Sequence, residues 1–151
     1  MTSSSSPETG TAAAPSLEDI RRILKENKTI AVVGLSTKPD RPSNSIPAYM
    51  QEQGYHIIPV NPTLQQALGE TAYASLRDVP GPIDIVNIFR KSDDVPPVVD
   101  DAIAKGAKVI WMQLGIANEA AAAKARAAGI TVIMDLCIGA THRKLRKEGL
   151  V

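Results

Sequence analysis

Aromatic residues are scarce, with one Trp, one Phe and three Tyr making up 3% of 151 residues. Binders of single-stranded nucleic acid need aromatic platforms for bases to stack on, so that class is disfavoured. Cysteine is down to one residue, Cys137, which excludes an internal disulfide framework and a cysteine-based zinc site. Two histidines, His56 and His142, are too few for a histidine-rich metal site. An excess of charge of one sign is also missing. Seventeen Lys+Arg against sixteen Asp+Glu leave +1, so no bulk field attracts nucleic acid or an anionic membrane. Any anionic ligand must therefore be held by a local site. No apolar run approaches the roughly 20 residues that span a bilayer. The N-terminus lacks the basic and apolar regions of a signal peptide. The expected setting is reduced and cytoplasmic.

What is present is an ordinary globular composition, 44% apolar and 22% charged, in a chain long enough for one domain with a core. Residues 1–15 are Ser, Thr, Pro, Gly or Ala in all but two positions, which predicts a disordered tail. Residues 16–151 are read as the folded domain. Ser16 followed by Asp19 resembles a helix N-cap signature, and Leu17, Ile20, Ile23 and Leu24 have helical spacing to about Asn27. Short apolar runs then follow at Thr29–Val33, His56–Val60, Ile83–Phe89, Lys108–Met112 and Ile130–Met134. Most are near-continuous, as strands covered on both faces are. Helical patterns separate them: Ser43–Gln53, a short piece near Leu64–Leu68, Ser92–Lys105 and Asn118–Ala128, with a last helix over Ala140–Lys147. This alternation predicts a Rossmann-like α/β three-layer sandwich around five parallel strands, in the order 3-2-1-4-5, with a flavodoxin-like order as the alternative.

In such sheets ligands bind outside the C-terminal strand ends. The loop after the first run is the most informative. Gly34 permits a tight turn. Ser36, Thr37, Ser43 and Asn44 supply short polar groups, and Lys38 and Arg41 supply charge. The loop feeds a helix N-terminus, where free N–H groups favour an anion such as phosphate. The competing reading is a capped loop with two solvated cations. A G-x-G-x-x-G pattern and an acidic residue at the end of the second strand are both missing, which disfavours NAD, and no Walker loop is present.

Five motifs then occur in order between Thr29 and about His142: Val33-Gly34-Leu35-Ser36 with Pro39, Arg41, Pro42, Ser43 and Asn44; Ile58-Pro59-Val60-Asn61-Pro62; Val86-Asn87-Ile88-Phe89-Arg90; Trp111-Met112-Gln113-Leu114-Gly115-Ile116; and Val132-Ile133-Met134-Asp135-Leu136-Cys137-Ile138. Together they resemble the small stand-alone CoA-binding proteins, which are similar to the CoA-binding domain of succinyl-CoA synthetase α subunits and ADP-forming acyl-CoA synthetases. The resemblance implies a coenzyme A site. Its pyrophosphate would lie on Gly34–Ser43, with Ser36, Thr37 and Ser43 donating hydrogen bonds and Lys38 and Arg41 meeting phosphates. Val60, Asn61 and Pro62 would line the adenine and ribose side. Phe89 and Arg90 would close the nucleotide pocket, and Gln113, Leu114, Gly115 and Ile116 would run beside the pantetheine arm.

Individual residues carry competing readings. Cys137, beside a helix N-terminus, is either a partner for the CoA thiol or a small buried packing residue. His142 has no motif support as a catalytic group and is expected as an exposed helix residue flanked by Arg143 and Lys144. His56 is expected to be structural. Asp135 is expected to cap the last helix. Trp111 is expected in the core or an interface. Asp93, Asp94, Asp100 and Asp101 are read as flanking one helix rather than as a metal cluster. The resulting expectation is a non-catalytic module binding coenzyme A or an acyl-CoA, as a monomer or small homo-oligomer. The alternatives are a subunit or thiol-active partner of an acyl-CoA synthetase, and an NAD(P) or other nucleotide-binding regulator.

Overall fold

The computed structural model describes residues 14–151, so the predicted tail lies outside the described residues except for its last two. Helix α1 (Leu17–Glu26) starts at a capping box: Asp19 N–H donates to Ser16 Oγ at 3.1 Å, and Ser16 N–H donates to Asp19 Oδ2 at 3.2 Å. Its buried residues are Ile20 and Leu24, four apart on one face. The remaining elements are β1 (Thr29–Val33), α2 (Pro42–Glu52), β2 (His56–Val60), β3 (Gln66–Ala67), β4 (Glu70–Thr71), β5 (Ile85–Ile88), α3 (Val95–Lys105), β6 (Val109–Met112), α4 (Glu119–Ala127), β7 (Thr131–Ile133) and α5 (Ile138–Lys147).

Five parallel strands form the main sheet in the order β2-β1-β5-β6-β7. Alternate residues of each strand face opposite layers. Ile30, Val32, Ile57, Ile85, Val109, Trp111 and Ile133 pack with Ile20 and Leu24 of α1, Met50 of α2 and Leu145 of α5. Ala31, Val33, Ile58, Val86, Ile88, Ile110 and Val132 pack with Val95 and Val99 of α3 and Ala121 and Ala125 of α4. Both faces are therefore buried, which accounts for the near-continuous apolar runs.

The strand order carries one surprise. The run at Ile83–Phe89 lies beside β1, not outside β2, and is trimmed to Ile85–Ile88. Outside β2 stands a single parallel bridge, Val60 to Tyr73. There Tyr73 N–H donates to Pro59 O at 3.0 Å and Asn61 N–H donates to Tyr73 O at 2.8 Å. Counting Tyr73 as a third strand cut to one residue restores the Rossmann order, with β5 in fourth place. Pro59 contributes to this shortening, because it offers no amide to a strand on that side.

The short helix expected near Leu64–Leu68 is absent. Gln66–Ala67 and Glu70–Thr71 form an antiparallel hairpin around Leu68 and Gly69, both with positive φ (+54° and +76°). Two positive angles define the type I′ connection, usually Asn-Gly or Asp-Gly. A leucine in that place hides it. Gln51 Nε2 donates to Leu68 O at 2.9 Å and pins the turn to α2.

Smaller differences fall at element ends. A 3₁₀ turn, Ser92–Asp94, precedes α3, and Pro96 and Pro97 lie in the first α-turn. Asp100 and Asp101 pair with Lys124 and Arg77, each at 2.6 Å. Among the described residues no group of three or more His, Cys, Asp or Glu is placed to hold a metal ion, and no helix is long and apolar enough to cross a membrane.

Candidate functional site

The C-terminal strand ends converge on the loop between β1 and α2. Gly34 ends β1 at φ +93°, and its N–H donates to Val60 O at 2.9 Å. A Cβ there would stand 2.3 Å from Phe89 O, so only glycine lets β1 and the end of β5 approach this closely. The loop is then folded back on α2. Pro47 inside α2 has no N–H to offer the Ser43 carbonyl one turn earlier. That carbonyl instead accepts Ser36 N–H at 3.1 Å. Asn44 Nδ2 donates to Ser36 O at 2.8 Å, and Lys38 N–H donates to Ser36 Oγ at 3.1 Å.

The N-terminus of α2 is left uncapped. Arg41 holds the N-cap position without a side-chain cap, Pro42 follows, and the first turn has no acidic residue. Pro42 has no N–H and Asn44 N–H donates back to Arg41 O at 2.9 Å, which leaves Ser43 N–H at the positive dipole end. Beside it lies an open cleft of about 370 Å³ lined by Arg41, Pro42, Ser43, Phe89, Arg90, Lys91 and Ile116. Among the described residues, Lys38, Arg41, Arg90 and Lys91 form no ion pair with a carboxylate. A second hollow of about 200 Å³ is lined by residues including Val60, Pro62, Ser75, Leu76, Arg90 and Asp101. Arg90 lines both.

The structure thus brings Arg41, Ser43, Phe89, Arg90 and Ile116 together in one cleft, and Val60 and Pro62 with Arg90 in the neighbouring hollow. Thr37 and Lys38 are exposed on the loop. Three polar residues expected at the site are engaged within the protein. Asn44 holds Ser36, as above. Asn61 Nδ2 donates to Leu35 O at 3.0 Å, while its Oδ1 accepts from Thr63 N–H and Oγ1. Gln113 is 4% exposed, and its Oε1 accepts from Ile138 N–H at 3.2 Å and Asn87 Nδ2 at 3.4 Å. Gly34 and Gln113 act here as architecture. Lys91, Ser75, Leu76 and Asp101 line the two hollows without having been expected. Lys91 was findable as the next cation after the strand end. Ser75 and Leu76 were not, because the one-residue third strand leaves no periodic signal.

Two residues differ from expectation. Asp135 does not cap α5. The N-cap is Cys137, whose Sγ accepts Ala140 N–H at 3.4 Å. Asp135 turns instead to Gly115, whose N–H donates to Asp135 Oδ1 at 2.7 Å. His142 is not exposed: it is 5% accessible, because its face of α5 packs on α2. Its Nδ1 lies 2.9 Å from Tyr49 Oη, and the rings of Tyr49 and Tyr55 meet it edge-on at 5.5 Å. Burial first, then Lys28, Arg146 and Arg143, hold its pKa below the ordinary imidazole value. Burial also pushes the Tyr55 phenol up to about 12, aided by Tyr49, so it stays a neutral donor to Leu24 O. Trp111 is fully buried, with its indole N–H donating to Leu136 O at 2.8 Å.

Comparison with known proteins places the chain in a family. Residues 28–143 match the model of the CoA binding domain. The uncharacterized protein YneT of Bacillus subtilis (strain 168) is 50% identical over 128 residues, 85% of this chain and 95% of YneT. The structure of a hypothetical protein from Pyrococcus horikoshii OT3 superposes with a TM-score of 0.85 at 38% identity, covering 96% of this chain and 99% of that one. Acetate–CoA ligase [ADP-forming] II of Archaeoglobus fulgidus is 31% identical over 83 residues, 54% of this chain but only 12% of the ligase. The chain belongs to the CoA-binding domain family.

Proposed function

We propose that residues 16–151 bind coenzyme A or an acyl-CoA along the C-terminal edge of the sheet, as a module without catalytic apparatus of its own. The observation that carries this reading is one cleft, in a chain of this family, where Arg41, Arg90 and Lys91 meet Ser43 at the uncapped start of α2. Cations without carboxylate partners beside Ser43 N–H and the positive dipole end of α2 suit a pyrophosphate. The adenine and ribose side falls to Val60, Pro62 and the hollow beneath Arg90.

Isothermal titration calorimetry with CoA, and with ADP, NAD and NADP as controls, tests the reading. Micromolar or tighter CoA binding is expected. Arg41→Ala should weaken it about 10- to 100-fold, the scale of ~1.5–3 kcal/mol for a charge-assisted hydrogen bond. Protein freed of co-purified ligand that ignores CoA sinks the proposal, and preference for NADP would favour a regulator.

Cys137 belongs to the same reading as a partner for the CoA sulfur. Its thiolate would attack CoA disulfide, forming a protein–CoA mixed disulfide and releasing one CoA thiolate. Intact-mass analysis should then find one CoA adduct on the wild type and none on Cys137→Ser. An unmodified wild type, or an adduct that persists in the variant, removes Cys137 from the site. The ligase likeness supports a second reading, a subunit completing acyl-CoA synthesis with another polypeptide. Acyl-CoA formation that appears only on adding an ATP-grasp protein would favour it.

A further inference from the structure

We propose that the face carrying Lys28, Arg143 and Arg146 is a docking surface for a carboxylate-rich segment of a partner protein. It does not depend on the coenzyme A reading. Lys28 immediately precedes β1, at the other end of that strand from Gly34 and the cleft. Three aromatic rings organise the face. Tyr49 of α2 and Tyr55 ahead of β2 each meet the His142 ring edge-on, with centroids 5.5 Å apart. Lys28 Nζ lies 4.5 Å from the centroid of the Tyr55 ring, and Arg143 Cζ lies 4.4 Å from that of Tyr49. Burial first, then Lys28, Arg146 and Arg143, keep the His142 ring neutral. Three cations from two parts of the chain thus gather round one buried imidazole.

A helix C-terminus attracts cations, and that accounts for Lys144, Arg146 and Lys147 in the last turn of α5. It does not account for Lys28, which lies outside the helix, or for Arg143, which is held over a tyrosine. Arg21, Arg77, Lys108, Lys124 and Arg126 pair with carboxylates. Among the described residues Lys28, Arg143 and Arg146 do not, and their exposed side chains donate no hydrogen bond. Like charges gathered in this way repel, and an anionic partner relieves that repulsion. The tyrosine contacts hold two of the three cations in place beforehand, which lowers the cost of ordering them at an interface.

The surroundings select carboxylates over nucleic acid. Tyr55 is buried, and Lys28 and Arg143 lie over the two tyrosine rings, so neither ring is a platform for a base. A net charge of +1 supplies no long-range field for a polyanion. What the face offers is short-range pairing, and the guanidinium fork matches a carboxylate. His142 serves as a reporter. Carboxylates beside the three cations offset the charge that opposes its protonation, so docking should raise its titration midpoint.

The test is an NMR titration of the full chain with hexaglutamate at low ionic strength, reading the His142 ring and the backbone amides. Shifts should centre on Lys28, His142 and Arg143, and the His142 midpoint should rise. The triple variant Lys28→Gln, Arg143→Gln, Arg146→Gln should bind the peptide at least about tenfold more weakly, as three exposed ion pairs worth a few-fold each. Lys108→Gln, which removes a cation paired elsewhere with Asp84, should stay within about twofold. Hexathymidylate, with comparable negative charge, should bind this face more weakly than the peptide. A wild-type midpoint that does not move at saturation overturns the proposal, whatever the fate of the triple variant. So do shifts confined to the Arg41 cleft, a smaller loss in the triple variant, an equal loss in Lys108→Gln, or hexathymidylate binding at least as tightly.

Discussion

Gly34→Ala should lose on the order of 3 kcal/mol of folding stability, read as a melting temperature lower by roughly 10 °C. Two costs combine. The residue sits at φ +93°, which an alanine rarely adopts, and the added carbon would meet Phe89 O at 2.3 Å and Phe89 C at 3.1 Å. Both atoms are backbone, so no side chain can rotate away. Relief requires the ends of β1 and β5 to separate. That strains the bond from Phe89 N–H to Val33 O, now 2.8 Å, and moves Phe89 and Arg90 in the cleft. The folded fraction of the variant should therefore also bind CoA weakly. Chemical denaturation decides the matter: an alanine variant within about 1 kcal/mol of wild type would mean that the two strands do not approach as described.

His142→Ala should cost about 2–4 kcal/mol at neutral pH, since it leaves a hole between two tyrosines and strips Tyr49 of a hydrogen-bond partner. The wild type carries a pH signature that the variant lacks. The groups around the ring are Tyr49 of α2, Tyr55 ahead of β2, Lys28 ahead of β1, and Arg143 and Arg146 of α5. These are phenols and cations. The folded state consequently favours the neutral ring, and the unfolded chain binds more protons once the pH drops below the ordinary imidazole value of about 6.5. Stability from this source is complete above that value and declines as the pH falls from it toward the depressed folded value. Urea titrations at pH 7.5 and 5.5 should show the wild type losing more stability on acidification than His142→Ala. Parallel losses in the two proteins would contradict the buried, neutral ring.

The residues that announced this architecture are those whose burial is simple. Ile30 to Val33, Val109 to Met112 and their like are covered on both faces, and a short, uninterrupted apolar run is what such double coverage selects. The capping box at Ser16 is local chemistry and was legible for the same reason. The hairpin at Leu68 was not, because its turn rests on tertiary support from Gln51 and not on turn-forming residues. His142 misled because Arg143 and Lys144, exposed on the same helix, say nothing about the side that faces α2. In the candidate site, Arg41, Ser43 and Arg90 were legible from their places after strands. Asn44, Asn61 and Gln113 were legible as important, whereas the bonds they make within the protein were not, since an amide that braces a loop and one that faces a ligand look alike in one dimension.

Tyr73 has a consequence for the breadth of ligands that such a domain can evolve to accept. A full third strand and its crossover would run past the end of β2 and occupy the space beside Val60 and Pro62. Here the chain crosses that space in a few residues, from Tyr73 to the single turn at Leu76–Asp78. The hollow of about 200 Å³ under Arg90 opens at this crossing, with Ala74, Ser75 and Leu76 in its wall. Insertions or deletions between Tyr73 and Leu76 would resize the chamber in whole-residue steps while leaving the five-stranded frame alone, so relatives that differ in length at this point should differ in the bulk they admit.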